Sequence, residues 1–327
     1  MKQTVALIHG GEGYEHDISL LGAENLSAMI SREKYELLPV LIDKNGEWFI
    51  DRGHTSVYPV LLDGKSGFIS KNGIIPIDIA IPLLHGDRGE DGAVIGALKS
   101  AHIKFIGCDI LASAVASDKI SAKRISEALG IPTADWISST DCDCQDTVIR
   151  AEKTLSYPMF VKPSELGSSI GISRVSDRKE LIEAYYTALR YSKRILIEKA
   201  VKVKKELECA YLGLGKRHLY QVGEVLCDGR FYDFEHKYTL CTKTGVTPQP
   251  IAIEKAVTDA ADKLREAIGA CSLARFDFFL TEEGEILFNE INTFPGMTKT
   301  SLYPSLTERM GLEKGEFINR LIAEALI

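Results

Sequence analysis

Val5-Ala6-Leu7-Ile8 is an unbroken apolar run that enters Gly10-Gly11-Glu12-Gly13, which predicts a buried strand ending in a glycine turn. Asp17 to Ile30 then carries a helical pattern and Glu36 to Ile42 a second strand, so the chain opens with a βαβ unit and a parallel sheet. Ile75 to Leu84 and Ile103 to Ile106 supply further strands, with Asp91 to Ala101 as the helix between them; this first, Rossmann-like part ends near Asp109. A helix over Ser117 to Leu129 follows, stopped by Gly130 with Pro132 just beyond. Pro158 to Pro163 reads as a short buried strand running into the loop Ser164 to Gly171. Asp177 caps a helix to about Tyr191, and Arg194 to Glu198 is a strand leaving this small α+β unit. From Lys199 strands alternate with a helix over Ile253 to Ile268, and helices around Ser301 to Met310 and Gly315 to Leu326 close the chain. The pattern is α/β throughout, divided as 1–110, 111–198 and 199–327, with no internal repeat.

The densest chemistry falls in the last part. Arg275 and Asp277 lie two apart in one predicted strand, and Glu290 and Asn292 lie two apart in the next. On a strand such pairs share a face. Thr281-Glu282-Glu283-Gly284-Glu285 between them reads as a hairpin turn, which brings two carboxylates and an amide together beside an arginine. Hard oxygen ligands of this kind suit Mg²⁺, which keeps some water and usually shares its coordination with nucleotide phosphates. A phosphoryl-transfer site is the expectation. A solvated hairpin face would show the same alternation of charge. Phe276, Phe278, Phe279, Leu287 and Phe288 argue instead for strands packed on both sides, where unpaired carboxylates would be costly.

Composition narrows the function classes. The 327 residues are 45% hydrophobic and 26% charged, ordinary for a globular protein, and no low-complexity tract signals disorder. A formal net charge of −7 lacks the basic footprint that nucleic acid or an anionic membrane requires. No apolar run approaches the ~18 residues of a spanning helix, and Val5 to Ile8 is too short for the core of a signal peptide. The seven cysteines show no paired CxxC spacing and fit reduced thiols, so a cytoplasmic setting is expected. Cys142 and Cys144 could bind a metal, although coincidence in an exposed loop accounts for them as well. Lys202-Val203-Lys204-Lys205 reads as a solvated loop, or as a cluster drawing phosphate toward a nucleotide pocket.

Elsewhere each motif is modest alone. The first glycine turn lets backbone N–H groups and a helix N-terminus approach an anion, yet the chain has neither GxGxxG nor GxxxxGK[ST], which removes the usual dinucleotide and P-loop fingerprints. Glu15 either compensates the dipole of the first helix or holds a substrate ammonium. His85-Gly86-Asp87-Arg88-Gly89-Glu90-Asp91-Gly92 follows a buried strand, where open α/β sheets place ligand sites. There His85 is either a satisfied strand-end histidine or a site residue, and Glu90 and Asp91 read as helix N-terminal acids. Gly167-Ser168-Ser169-Ile170-Gly171 resembles a flap over a nucleotide, with hydroxyls and amides donating to phosphate, though a plain turn uses the same residues. Lys119 at a helix start and Lys162 at a strand end offer compact positive charge. Glu198 and Glu206 flank a strand junction suited to adenine and ribose, with ion pairs to Lys199 or Lys205 as the plainer alternative.

Taken in order, these segments resemble the D-alanine:D-alanine ligase family of the ATP-grasp superfamily, from Gly10 to about Gly311. The resemblance is carried by Gly10-Gly11 with Glu15-His16-Asp17-Ile18-Ser19-Leu20, His85-Gly86 with Gly89-Glu90-Asp91-Gly92, Ser117-Asp118-Lys119, and Val161-Lys162-Pro163 through Gly171. It continues in Phe231-Tyr232-Asp233-Phe234-Glu235-His236-Lys237-Tyr238, Arg275-Phe276-Asp277, and Asn289 through Thr298 with Ser301-Leu302. The chain departs from the family pattern at His9, Tyr14 and Phe294.

The resemblance implies an α/β fold in which a Rossmann-like N-terminal domain precedes an ATP-grasp fold of two α+β subdomains. It implies ATP-dependent ligation of two D-alanines to D-alanyl-D-alanine through a D-alanyl phosphate, supplying peptidoglycan for the cell wall. A cytoplasmic homodimer using two Mg²⁺ ions, replaceable by Mn²⁺, belongs to the same implication. On this basis Lys119, Lys162, Ser169, Glu198, Lys199, Val201, Glu206 and Lys237 bind ATP, and Asp277, Glu290 and Asn292 hold the metals. Arg275 stabilises the transferred phosphate and the tetrahedral oxyanion. Glu15, Ser168 and Tyr238 form a hydrogen-bonded set that closes the site, and His85, Asn292, Gly296, Ser301 and Leu302 surround the amino acids. Tyr238 and Leu302 favour D-alanine over D-lactate or D-serine as second substrate.

A D-alanine:D-serine ligase is the alternative of the same chemistry, and a non-catalytic ATP-binding regulator of the same fold is the alternative of another class. An NAD-dependent dehydrogenase, suggested by the first βαβ unit alone, lacks the glycine fingerprint and leaves the carboxylates unexplained.

Overall fold

The computed structural model describes residues 2–140, 143–225 and 247–327. Cys142, Cys227, Cys241 and the segment from Phe231 to Tyr238, Lys237 included, lie outside the described residues. The chain begins with β1 (Gln3–Gly10), α1 (His16–Met29) and β2 (Tyr35–Ile42), the expected βαβ unit. Two short strands, β3 (Trp48–Ile50) and β4 (Thr55–Ser56), lead to a meander of β5 (Tyr58–Leu62), β6 (Lys65–Ser70) and β7 (Gly73–Pro76). β8 (Ile79–Pro82) and α2 (Ala93–Ser100) complete this part. The main sheet has the order β4-β3-β2-β1-β8, and β1 runs parallel to both β2 and β8. Val5, Ala6, Leu7 and Ile8 are buried, as a central strand covered on both faces requires.

Two expectations need correcting here. Ile75 to Leu84 is not one strand: β7 pairs within the meander and β8 within the main sheet, and between them Asp78 accepts from the Thr4 N–H at 2.7 Å. Ile103 to Ile106 is not a strand either; Phe105 makes one parallel bridge to Ala80. The meander was illegible because Pro59, Gly64 and Gly67 interrupt its short runs before any alternation is sustained.

The helix expected over Ser117 to Leu129 is α4 (Lys119–Ala128), and a further, unexpected helix, α3 (Ile110–Ser117), precedes it. Asp118 adopts extended backbone between them and caps α4, accepting from the Ser121 N–H at 2.6 Å. β9 (Trp136–Ser139), α5 (Cys144–Thr154), β10 (Met159–Pro163), β11 (Ser173–Val175), α6 (Arg178–Leu189) and β12 (Ile195–Lys199) follow, forming an antiparallel sheet β11-β10-β12-β9. Asp177 caps α6 as expected, through the Glu180 N–H at 2.9 Å. Cys144 opens α5 and is buried in the core of this part, not placed on an exposed loop.

β13 (Val203–Leu214), β14 (Arg217–Val225), α7 (Ile251–Ile268), β15 (Leu273–Thr281) and β16 (Ile286–Asn292) make the last sheet, β14-β13-β15-β16, all antiparallel, before α8 (Leu302–Arg309) and α9 (Glu316–Leu326). One apolar core joins the two ends of the chain: Leu7, Leu26 and Ile81 pack with Leu212, Met297, Tyr303 and Phe317. The Asn319 amide adds polar ties, donating to the Met29 carbonyl at 2.8 Å and accepting from the Ser31 N–H at 2.9 Å. Among the described residues no helix is long and apolar enough to cross a membrane.

Candidate active site

β15 and β16 bring the expected face together. Their register sets Arg275 opposite Asn292 and Asp277 opposite Glu290, while Phe276, Phe278 and Phe288 point into the core behind. Arg275 Nε and Nη2 donate to the two Asp277 oxygens at 2.7 Å each, and Asn292 Nδ2 donates to Asp277 Oδ2 at 3.1 Å. Glu208, opposite Asp277 on β13, stands 3.5 Å from Arg275 Nε. Burial alone would lower the pKa of Arg275, but Asp277 and Glu208 outweigh it and raise it, so the guanidinium stays charged. Glu208 was missed in the sequence, although it stands two residues after Glu206, the same period that exposed Asp277.

The oxygen donors at this end are Asp277, Glu290 and the amide of Asn292, whose nitrogen already faces Asp277. Among the described residues no three His, Cys, Asp or Glu side chains gather into a ready cage. The set therefore fits Mg²⁺ that completes its shell with phosphate and water, and it does not fit a structural site made wholly of protein ligands.

The other end of the cleft comes from the first sheet. Gly10 ends β1 at φ +94°, and a Cβ there would lie 2.2 Å from the Ile42 carbonyl, so only glycine fits. The Gly10 N–H donates to Ser19 Oγ at 2.8 Å, and Ser19 Oγ donates to the Leu83 carbonyl at 2.5 Å, fixing α1 against the end of β8. Glu15 occupies the N-cap position of α1 without capping through its side chain. Its carboxylate enters the cleft and accepts from Ser168 Oγ. A Cβ on Gly86 or Gly167 would come within 2.7 or 3.1 Å of Glu15 Oε2, so both loops close on this carboxylate because they are glycine there. Ser168 and Ser169 sit at φ 50° and 61°. Two consecutive serines in left-handed backbone mark a loop held in shape by its contacts.

His85 lines the cleft and is buried, and among the described residues its Nε2 has no hydrogen-bond partner. Burial lowers its pKa against the pull of Glu15, and Arg275 adds to the fall, so the imidazole is neutral. Glu90 departs from the reading as a helix-terminal acid. α2 begins only at Ala93, where Asp91 accepts the first N–H at 2.9 Å. Glu90 itself is enclosed in the cleft wall, accepting from the Gly86 and Phe294 N–H groups at 3.1 and 3.4 Å. Burial, and next Glu15, push its carboxyl up to about 8.

The lysines come from α4 and β10. The capped first turn of α4 docks on the end of β10, where the Lys119 N–H donates to the Ser164 carbonyl at 2.9 Å and the Ile120 N–H to Ser164 Oγ at 3.1 Å. Lys119 Nζ donates to the Leu166 carbonyl at 2.7 Å and lies 3.3 Å from Glu290 Oε2, bridging flap and carboxylates. Lys162 pairs with Glu198, its diagonal neighbour, since Phe160 is the residue directly opposite Glu198.

The plainer alternative for Glu198 thus named the wrong partners. Lys199 points to the opposite face, 3.8 Å from Asp135, and Lys205 meets Glu224 at 2.7 Å. The second partner of Glu198 is Lys123, with Nζ 2.5 Å from Oε1. Lys123 was passed over in the sequence; its signal was the spacing of four from Lys119, which sets both on one helix face. Burial pushes the Glu198 carboxyl up, but the two lysines outweigh it and bring it down to about 2.

Gly296, Ser301 and Leu302 face Glu206 and Asn292 across the same cleft. It spans ≈ 1140 Å³, open mouth included. Ser169 follows Ser168 in the flap, and Val201 lies half-buried just past β12.

The families described as D-ala D-ala ligase N-terminus and D-ala D-ala ligase C-terminus match residues 4–108 and 125–323. The D-alanine--D-alanine ligase of Streptococcus uberis is 37% identical, over 99% of this chain and 96% of its own. Among solved structures, VanG D-Ala:D-Ser ligase from Enterococcus faecalis is similar with a TM-score of 0.89 at 30% identity, covering 99% of this chain and 100% of that one. D-alanyl-alanine synthetase A from Vibrio cholerae is similar with a TM-score of 0.88 at 30% identity, covering 99% and 98%.

Proposed function

Given that the chain belongs to the D-alanine:D-alanine ligase family, with its ATP-grasp fold, we propose that its cleft phosphorylates one D-alanine with ATP and directs a second at the product. One observation carries this reading: a single cleft has Glu15, His85 and Ser168 at one end and Arg275, Asp277, Glu290 and Asn292 at the other.

Glu15 holds the ammonium of the first D-alanine, beside a neutral His85. The carboxylate of that D-alanine attacks the γ-phosphorus, ADP leaves, and a D-alanyl phosphate remains. Lys119, Lys162 and Lys237 hold the phosphates, while Ser169, Glu198, Lys199, Val201 and Glu206 surround the nucleoside. Asp277, Glu290 and Asn292 would hold two Mg²⁺ ions, or Mn²⁺ in their place, which would supply charge neutralisation for the transfer. Arg275 faces the negative charge that grows on the transferred group and then on the tetrahedral carbon. The amine of the second D-alanine attacks that carbon and expels phosphate, giving D-alanyl-D-alanine for peptidoglycan. Ser168, tied to Glu15, and Tyr238 close the site against water. In this reading 1–110 binds the first amino acid, 111–198 and 199–327 share the nucleotide, and 199–327 also holds the metal, in a cytoplasmic homodimer.

The likeness to VanG keeps a second reading in view, in which D-serine is the acceptor. Against it, the apolar Leu302 suits a methyl group and offers a hydroxyl no partner. Phosphate release with ATP and Mg²⁺ is measured with D-alanine alone and with equal D-alanine and D-serine, and the dipeptides are identified by mass. D-alanyl-D-alanine as main product supports the reading. Mostly D-alanyl-D-serine keeps the mechanism and overturns the role of Leu302; no phosphate release that depends on D-alanine overturns the whole.

A further inference from the structure

We propose that Lys123 is a positioning residue for the nucleotide: it holds Glu198 from behind, so that Lys162 can exchange Glu198 for a nucleotide phosphate without stranding a buried charge. The inference rests on the nucleotide role of Lys162 given above.

Lys123 is 1% exposed, an unusual position for an ammonium, which packs there only with a partner. A leucine or methionine would fill the same space in α4 without the desolvation penalty, so stability alone does not explain the lysine. Each oxygen of Glu198 takes one lysine, Oε1 from Lys123 and Oε2 from Lys162. The two lysines are not equivalent. Lys123 is enclosed, whereas Lys162 is half-buried on the strand leading into the flap, with Nζ 5.8 Å from the centre of the Phe160 ring. Lys162 is the one placed to move.

With Lys123 fixed by its helix, the departure of Lys162 leaves Glu198 and Lys123 as a neutral pair. With Lys123 removed, the same departure leaves a carboxylate alone in the interior, and Lys162 stays where it is. The i,i+4 spacing lets α4 serve both halves of the nucleotide site, Lys119 reaching Glu290 and Lys123 reaching Glu198.

The test is a double-variant cycle on ATP affinity, read by titration calorimetry on the full chain with Mg²⁺ and no D-alanine. Lys123→Met weakens ATP binding about 10-fold or more, and Lys123→Arg, which restores the charge, recovers most of that loss. In a Glu198→Gln background no buried carboxylate remains for the departure of Lys162 to strand, and adding Lys123→Met changes affinity less than about twofold. An equal loss in both backgrounds, or native affinity in Lys123→Met, overturns the proposal. Should Lys123→Met alone not fold, Lys123→Gln, which keeps a polar head without the charge, takes its place in both backgrounds under the same criteria. Lys162→Met keeps the two readings apart: native ATP affinity there sinks the nucleotide site itself, whereas a loss there with none in Lys123→Met sinks only the role of Lys123.

Discussion

Glu198 is buried and Glu90 half-buried, and their surroundings shift the two carboxyls in opposite directions. Glu198 titrates at about 2 when folded, below its unfolded value, so it contributes stability above that value and the contribution is lost as pH falls toward about 2. Glu198→Gln therefore loses less stability than the native chain on acidification through that window, as followed by circular dichroism. Glu90 runs the other way, with its carboxyl raised to about 8. Between its ordinary value and 8 the unfolded chain binds fewer protons than the folded one, so stability falls as pH rises. In Glu90→Gln the drop in melting temperature from pH 5 to pH 8 becomes smaller, and an unchanged drop counts against the protonated acid. On the proposed metal site, Glu290→Gln lowers turnover by about 100-fold or more while the fold is kept; phosphate release across a range of Mg²⁺ reads this, and near-native turnover would reject the assignment.

Legibility at the residue scale followed the spacing. Asp277, Glu290 and Asn292 could be placed on one face because a strand alternates, and their register bears that out. The enclosure of Glu90 could not, since it depends on Phe294, far away in sequence. Lys123 lay between, visible as a spacing but meaningless until Glu198 was placed.

Elements position these groups through a few exacting turns. Gly10 is one: Gly10→Ala forces both an unfavourable φ and a clash with the Ile42 carbonyl, and costs about 3 kcal/mol. Chemical denaturation measures this, and a loss under about 1 kcal/mol would show that the turn relaxes easily. Long elements with a clear period, such as β1, α1 and α7, were readable to within a residue or two. Short ones were not. The β5–β7 meander has too few residues per strand to show alternation, and the break between α3 and α4 hangs on one residue, Asp118, whose side chain serves as cap and whose backbone leaves the helix.

For the whole molecule, the proposed site is shared among three of the four sheets of the described residues, so ligand binding and global stability are coupled. ATP with Mg²⁺ at about 100 times its dissociation constant adds about 2.7 kcal/mol to unfolding. Calorimetry should show the melting temperature rising by several degrees, with a chelator withdrawing the part that depends on metal. No shift with either would contradict a nucleotide site in this cleft. Such coupling was beyond the sequence, because the core that mixes Leu7 and Leu26 with Tyr303 and Phe317 joins residues from opposite ends of the chain.

The Asn319 amide gives that joining a mechanical meaning. α1 carries Glu15 at one end and, at the other, the Met29 carbonyl that Asn319 holds from α9. It is a lever whose far end is clamped by the last helix. Trimming α9, or loading it with a fused protein or an antibody, would disturb the far end of α1, so α9 would serve as a remote handle on the pocket that Glu15 lines.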